Sequence, residues 1–163
     1  MTCSRCKIKP VWEFTNQTQL CSSCFIDYFE RKILRTIRKF ELLPSTREFI
    51  IKKSDSINAK VLLFVLKRNF SVKFGNKSNI DDKNLSDYAE EDFSYVLNGK
   101  FGKKEKIKSP LGDLSDEEIE LYARLKKIKG KKAKRNKKIQ DLFKKFKKNP
   151  DLEHNVVNAW GQI

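Results

Sequence analysis

Apolar and polar positions alternate with helical and strand periods along most of the chain. From Phe25 to Phe40 apolar residues recur every three or four positions, which predicts an amphipathic helix. The run "REFIIKK" (47–53) predicts a short buried strand, and "NAKVLLFVLKRNF" (58–70) predicts a buried helix after it. A second, short strand is compatible with "SVKFGN" (71–76). Strand, helix and strand thus follow one another in the middle of the chain.

Helical patterns dominate the C-terminal half. The stretch 84–102, "NLSDYAEEDFSYVLNGKFG", predicts a helix that ends at an Asn-Gly pair. A strand is predicted at "EKIK" (105–108), followed by a proline stop. Ser115 and Glu118 have the spacing of a capping box, which predicts the start of another helix. The segment 137–148 carries apolar residues at i, i+3, i+4 and i+7, so this helix is expected to dock on another element.

Basic residues outnumber acidic ones by 36 to 21, giving the 163-residue chain a formal net charge of +15. The excess is local, because residues 126–148 contain thirteen Lys or Arg and a single acid, Asp141. Such a run predicts a polyanionic partner: nucleic acid is the first interpretation, and a membrane surface is the alternative. The length suits one domain with its own core and a small appended module.

The N-terminus has no apolar segment typical of a signal peptide, and no apolar run approaches the roughly 20 residues of a membrane span. We therefore expect a cytoplasmic protein without a membrane partner. The four cysteines all lie within the first 24 residues. In a reducing compartment such a cluster indicates a metal site instead of disulfides.

The cysteines form two CxxC pairs separated by fourteen residues, "KIKPVWEFTNQTQL", whose middle predicts a short hairpin. Two such knuckles can bring four thiolates to one zinc ion. We predict one structural zinc per chain, with an iron centre or an empty site as alternatives. No position of the coordination sphere is left open for a substrate, so a catalytic metal is not expected. The predicted ligands are Cys3, Cys6, Cys21 and Cys24.

Four segments together resemble the cytosolic tRNA 2-thiouridylases, which belong to the PP-loop ATP pyrophosphatase superfamily. They are "CSRC", "CSSCFIDYFERKILRTIRKF", "SPLGDLSDEEIELYARLKKI" and "NPDLEHNVVNAW". The resemblance implies an α/β fold with a reduced PP-loop (Rossmann-like) parallel sheet, flanking helices and an N-terminal zinc knuckle or ribbon module. It divides the chain into a zinc module with its amphipathic helix (1–43), a truncated PP-loop core (44–110) and a basic helical region (111–163).

The nucleotide loop of that family, SGGxDS, aligns with residues 54–59 of this chain, and of its defining residues only Ser54 is retained. Glycines let backbone amides approach a phosphate, so a loop without them is not expected to hold ATP. The residues of this degenerate nucleotide loop are Ser54, Asp55, Ser56 and Asn58. The stretch 84–102 resembles the family's NLDD-containing helix, with Asn84 and Asp87 retained.

The segment between Asn69 and Asn84 is far shorter than in the family and lacks its reactive or iron–sulfur-binding cysteines, and the family's second zinc site is missing. The resemblance therefore implies a truncated, non-catalytic second subunit of a wobble-uridine thiolation complex. Its full-length catalytic partner would supply ATP chemistry and the iron–sulfur cluster. In this chain "SVKFGN" would replace the family strand that precedes the NLDD helix, so that a parallel sheet of three strands remains. Residues expected to contact that partner are Phe143, Phe146, Val157 and Trp160.

The basic helices are expected to contact tRNA, whose binding is dominated by phosphate contacts. The predicted RNA-binding residues are Arg35, Arg38, Lys39, Lys131, Lys132, Lys134, Arg135, Lys137 and Lys138. An alternative is a stand-alone zinc-ribbon protein that binds rRNA. An enzyme in its own right is the weakest interpretation, because the chain has one histidine, His154, and no cysteine beyond the metal site.

Overall fold

The computed structural model describes residues 2–99, 106–145 and 152–160, and within them the chain forms six helices and two small sheets. The mixed α/β character expected from the sequence is confirmed. The helices are α1 (Ser22–Lys39), α2 (Ile57–Leu66), α3 (Leu85–Leu97), α4 (Asp116–Leu125), α5 (Lys137–Lys145) and α6 (Leu152–Trp160). The strands are β1 (Trp12–Glu13), β2 (Gln19–Leu20), β3 (Glu48–Ile51) and β4 (Ser71–Phe74).

Strands β1 and β2 pair antiparallel, which confirms the hairpin predicted between the two CxxC pairs. Strands β3 and β4 pair parallel, with Glu48 opposite Ser71 and Ile51 opposite Phe74. The strand predicted at 105–108 is wrong for its described residues, 106–108. There the Lys108 carbonyl accepts a hydrogen bond from the Asp81 N–H (3.0 Å), and the Lys108 N–H donates to the Tyr88 hydroxyl (3.2 Å). These loop contacts replace a ladder, so the described parallel sheet has two strands instead of three.

The second edge of β3 is covered by one residue, Asn79. Its side-chain oxygen accepts from the Ile50 N–H (2.8 Å), and its side-chain nitrogen donates to the Glu48 carbonyl (2.9 Å). Its backbone N–H donates to the Ile50 carbonyl (3.1 Å). Backbone groups of consecutive strand residues point to opposite sides, and the Ile51 carbonyl bonds to Gly75 beyond β4. Asn79 therefore lies where a further strand would pair.

The main core is centred on α1, α2 and α4. Helix α1 buries Phe25, Phe29 and Ile33 completely, as its predicted apolar stripe requires. Phe29 stacks on Tyr122 of α4, with ring centroids 4.1 Å apart and the planes within 14°. Residues from all three predicted segments contribute to this core, and the division at 43 and 110 stays a prediction. A smaller cluster joins α3 to α6.

Capping boxes open both α3 and α4. Asn84 and Asp87 form the first, and Ser115 and Glu118 form the second, as predicted. Glu118 is buried and also accepts hydrogen bonds from Tyr28 and Lys32, which fastens α1 to the start of α4. Within the described ranges, we find no helix with the length and apolar character that crossing a membrane would take.

Candidate functional site

The two CxxC pairs are held in facing turns. In the first, the Lys7 N–H donates to the Cys3 carbonyl (3.0 Å), and Lys7 itself has a positive φ of 60°. The Ser4 N–H donates to the Gln19 carbonyl in β2 (2.8 Å), which ties this turn to the hairpin. The second pair lies at the start of α1, where Cys21 is the N-cap residue. The hairpin and the helix thus fix both turns.

The four sulfur atoms all lie within 4.8 Å of one another. Cys6 Sγ is 3.3 Å from Cys21 Sγ and 3.7 Å from Cys24 Sγ. Four thiolates bound tetrahedrally at ~2.3 Å from one zinc ion would be roughly 3.8 Å apart. The four sulfur atoms are therefore positioned to bind a metal, and their spacing suits a single ion.

The thiols of this cluster do not titrate alike. Burial raises the pKa of Cys3, but backbone hydrogen bonds, chiefly with Arg5, Cys21 and Cys6, outweigh it and lower that pKa to about 6. Burial and the neighbouring thiols raise the pKa of Cys24 to about 12. Four thiolates in one small volume repel one another, so a divalent cation is what makes full deprotonation favourable.

Aromatic contacts fix the metal module to the main core. Trp12 of β1 lies against Phe25 with ring centroids 5.4 Å apart, and Phe14 meets Tyr28 edge-on at 4.8 Å. Because Phe25 and Tyr28 are on α1, the cysteine turns and the helix form one packed unit.

The predicted nucleotide loop follows β3 and leads into α2. The Ser54 hydroxyl accepts from the Ser56 N–H (3.1 Å), so the retained serine bonds to its own loop. The Ser56 hydroxyl accepts from the Ala59 N–H (3.0 Å) and donates to the Asp82 carboxylate (2.7 Å). Backbone N–H groups at a helix start commonly bind phosphate, but the Ala59 N–H is here satisfied by a side chain.

A second part of the chain also covers the start of α2. We call it the basic strap: residues 126–138, which join α4 to α5 and contain nine Lys or Arg and no acid. The Lys131 carbonyl accepts from the Ile57 N–H (2.9 Å), and the Lys131 N–H donates to the Asp55 carbonyl (2.8 Å). A Cβ on Gly130 would lie 2.6 Å from the Ile57 Cα, so only glycine permits this approach.

Beside this contact lies a cavity of about 200 Å³, which we call the α2 cleft. Three carboxylates line it, those of Asp82, Asp87 and Glu91, together with the side chains of Lys83 and Lys131. Ligand pockets usually enclose ~300 to 1,000 Å³. The α2 cleft is thus small for a nucleotide, and its lining has three carboxylates against two lysines.

Arg135 is held inside the protein by acidic groups at the starts of α3 and α4. Its side chain is 9% exposed. It donates two hydrogen bonds to Asp116 (2.8 and 2.6 Å), one to Asp87 and one to Asn84 (3.1 Å), and it lies 3.5 Å from Glu90. Predicted as an RNA contact, Arg135 is instead consumed by these partners, and we remove it from the RNA-binding set.

The other predicted RNA-binding residues are exposed, although several already have acidic partners. Lys39 pairs with Asp113 at 3.2 Å, and Lys132 pairs with Glu120 at 2.7 Å. Lys131 is 3.8 Å from Asp55, and its side chain is 82% exposed. The exposed members for which no ion pair is found within the described ranges are Arg35, Arg38, Lys134, Lys137 and Lys138.

The predicted partner contacts have different surroundings. Val157 is 4% exposed and packs with Leu85 and Ala89 of α3, so it belongs to the chain's own core and is not an open anchor. Phe143 is half-buried and meets Phe93 of α3 at 5.4 Å. Phe146 and the side chain of Trp160 lie outside the part of the chain that the structure describes.

The sequence did not predict the ion pairs of Arg135 with Asp87 and Asp116, or the hydrogen bonds between Lys131 and the start of α2. Gly130, the single glycine of the basic run 126–148, was a local signal for the strap contact, but it does not identify the residue that the strap approaches. Arg135 is 48 residues from Asp87, and Lys131 is 74 residues from Ile57.

Comparison with known proteins identifies a shared fold but no family. No protein-family model matches the sequence, nor does any curated protein. Eighteen chains of solved structures match it. One is the U34-tRNA thiolase NcsA from Methanococcus maripaludis with its [4Fe-4S] cluster. That match has a TM-score of 0.78 at 14% identity and covers 99% of this chain and 86% of the other. The two proteins share a fold.

Proposed function

We propose that this protein is a non-catalytic subunit of a tRNA thiolation complex that 2-thiolates the wobble uridine. The observation that carries the proposal is the occupied start of α2 on a fold shared with a U34-tRNA thiolase. There the Ile57 and Ala59 amides bond to Lys131 and Ser56 of the same chain. A protein that used this position for ATP would keep those donors available to phosphate.

The acidic lining of the α2 cleft supports the same conclusion. Ser56 donates to the Asp82 carboxylate, so a negative charge lies beside the helix start where a phosphate would bind. With no glycine between Lys53 and Lys60, the loop also cannot wrap a phosphate with its backbone.

The part assigned to this subunit is tRNA binding. Its net charge of +15 and its exposed basic strap suit a polyanion, and phosphate contacts supply most of the affinity in such complexes. The catalytic thiouridylase subunit would bring ATP and the iron–sulfur cluster, and the complex would be cytoplasmic.

For the metal centre we propose one structural zinc per chain, held by the four cysteine thiolates. Sulfur separations of 3.3 and 3.7 Å support a single ion, because a four-iron cluster spreads its thiolates over different iron atoms. When bound, the ion would join the two turns and lend no open coordination position. Elemental analysis should give about one zinc per chain. Iron in place of zinc, or an iron–sulfur absorption band from the isolated chain, would contradict this assignment.

The experiment that tests the function is co-expression with a catalytic thiouridylase of the same cell, combined with deletion of this chain. We expect a stable hetero-oligomer, and we expect mass spectrometry of tRNA to show loss of wobble-uridine 2-thiolation after deletion. Phe146 and Trp160 remain the predicted anchors, so Trp160→Ala should weaken the assembly. Val156→Ala, on the same helix, is the comparison variant.

Other results would favour a different function. A monomer beside the catalytic subunit, with unchanged tRNA thiolation after deletion and co-sedimentation with ribosomes, would support the rRNA-binding alternative. ATP hydrolysis or sulfur transfer by the isolated chain would contradict the non-catalytic assignment.

A further inference from the structure

We propose that the α2 cleft has become the anchorage of the basic strap, and that the anchored strap presents its lysines in a fixed arrangement to the phosphates of RNA. The inference rests on the proposed RNA binding. It adds that the place where a nucleotide would bind now positions the RNA-contacting segment. The partner chemistry is the phosphodiester backbone of an RNA strand.

The first attachment is made by backbone groups. The Lys131 N–H and carbonyl bond to Asp55 and to Ile57 on either side of the start of α2. Residues 56 and 131 thereby form a parallel β-bridge, although neither belongs to a longer ladder. Gly130 makes this approach possible, since a Cβ there would lie 2.6 Å from the Ile57 Cα and 2.8 Å from its nitrogen. Contacts this short with backbone cannot be relieved by rotating a side chain.

Two further attachments follow within six residues. Arg135 inserts between the starts of α3 and α4, where its guanidinium meets Asp87 and Asp116. The Asn136 N–H donates to the Glu90 carboxylate on α3 (2.7 Å). The Asn136 side chain then accepts from the N–H of Lys138 (3.0 Å), in the first turn of α5. The strap is thus fixed at its middle and at its end.

The strap lysines predicted to contact RNA are exposed, although Lys131 lies 3.8 Å from Asp55 and Lys132 pairs with Glu120 at 2.7 Å. Lys131 is 82% and Lys132 is 67% exposed, and Lys134, Lys137 and Lys138 are also exposed. Because the backbone beneath them is already ordered, binding to RNA would cost little conformational entropy of the chain. A detached strap would carry the same charges and lose that entropy on binding.

This difference gives a sharp experiment with Gly130→Val, measured as binding to an unmodified tRNA transcript with a wobble uridine over a range of salt. We expect roughly five- to tenfold weaker binding at every salt concentration, with the salt slope unchanged. Ala159→Val, which adds the same side chain at an exposed position outside the strap and the α2 cleft, should bind like the wild type. Replacing Lys134, Lys137 and Lys138 by Gln should instead reduce the slope, by up to about one for each lysine that binds a phosphate.

A second pair of variants avoids any strain on the fold. Glu90→Gln and Glu90→Ala remove the same charge, but only the first keeps an acceptor for the Asn136 N–H. We expect Glu90→Ala to bind RNA more weakly than Glu90→Gln. Hydrogen exchange adds a readout without RNA: the Ile57 amide should be protected in the wild type and exposed in Gly130→Val, while the α1 amides stay protected in both.

The outcomes separate this inference from the proposed function. Rapid exchange of the Ile57 amide in the wild type, or wild-type affinity in both Gly130→Val and Glu90→Ala, overturns the anchored strap and leaves RNA binding intact. A wild-type chain with no salt-dependent affinity for tRNA overturns the proposed function and this inference with it.

Discussion

Replacing Arg135 by Met should lower the free energy of unfolding more than replacing an exposed lysine of the basic strap by Met. The Arg135 side chain is 9% exposed, and Asp87 and Asp116 beside it are 20% and 34% exposed. Removing one partner of a buried ion pair costs about 3 to 5 kcal/mol, because the remaining charges stay buried and unpaired. Water reaches Asp116 in part, so we expect a loss near the lower end, about 3 kcal/mol. Asp87 also belongs to the capping box of α3, and Asp116 accepts a hydrogen bond from the N-cap Asn84, so the start of α3 should loosen.

The measurement is urea unfolding at neutral pH, followed by helix circular dichroism. Lys132→Met is the matched control, since it removes the same kind of charge from a surface pair with Glu120 and should cost less than about 1 kcal/mol. Adding Asp87→Asn and Asp116→Asn to Arg135→Met should recover part of the loss. An Arg135→Met variant no less stable than Lys132→Met would refute the reasoning.

Three further predictions concern the α2 cleft, helix α6 and the metal turn. Calorimetry with ATP and magnesium should detect no binding tighter than millimolar, roughly 4 kcal/mol, and micromolar affinity would contradict the occupied α2 start. Burial raises the pKa of Glu153 above its ordinary 4.5, although the hydrogen bond from Ser86 opposes the rise. The folded protein therefore holds this proton more tightly than the unfolded chain does, and stability falls as the pH rises from the ordinary pKa through the raised one. Glu153→Gln should flatten this dependence and unfold at higher urea at neutral pH, and a lower midpoint there would count against it. Lys7→Gly should relieve the positive φ of 60° and raise stability by up to about 1 kcal/mol in thermal unfolding, whereas Lys9→Gly, at an ordinary φ, should not.

Local periodicity and capping could be predicted from the sequence. The apolar stripe of α1, the Ser115–Glu118 capping box and the hairpin between the cysteine pairs all depend on residues within a few positions of one another. The CxxC spacing likewise predicted that the four cysteines can bind one metal ion, because each pair forms its own turn. Such features are fixed by short stretches of chain and need no knowledge of the rest.

Features that depend on distant partners could not be predicted this way. Composition places Arg135 with the neighbouring lysines, and only the fold brings it to carboxylates on two other elements. Val157 was predicted to contact another surface, but the sequence could not say whether that surface belongs to the same chain or to another. The strand predicted at 105–108 contains a single apolar residue, Ile107, and a strand also requires a neighbour to pair with.

Asn79 explains how the outer edge of β3 can stay unpaired with any other strand. An unpaired edge offers a row of donors and acceptors to any passing strand, and proteins commonly block such edges. A single amide can do so here because it presents one acceptor and one donor at nearly the spacing of a peptide group, and its own backbone supplies another donor. A shortened sheet can thus have its β3 edge closed to a further strand, because one asparagine makes the hydrogen bonds that this strand would make.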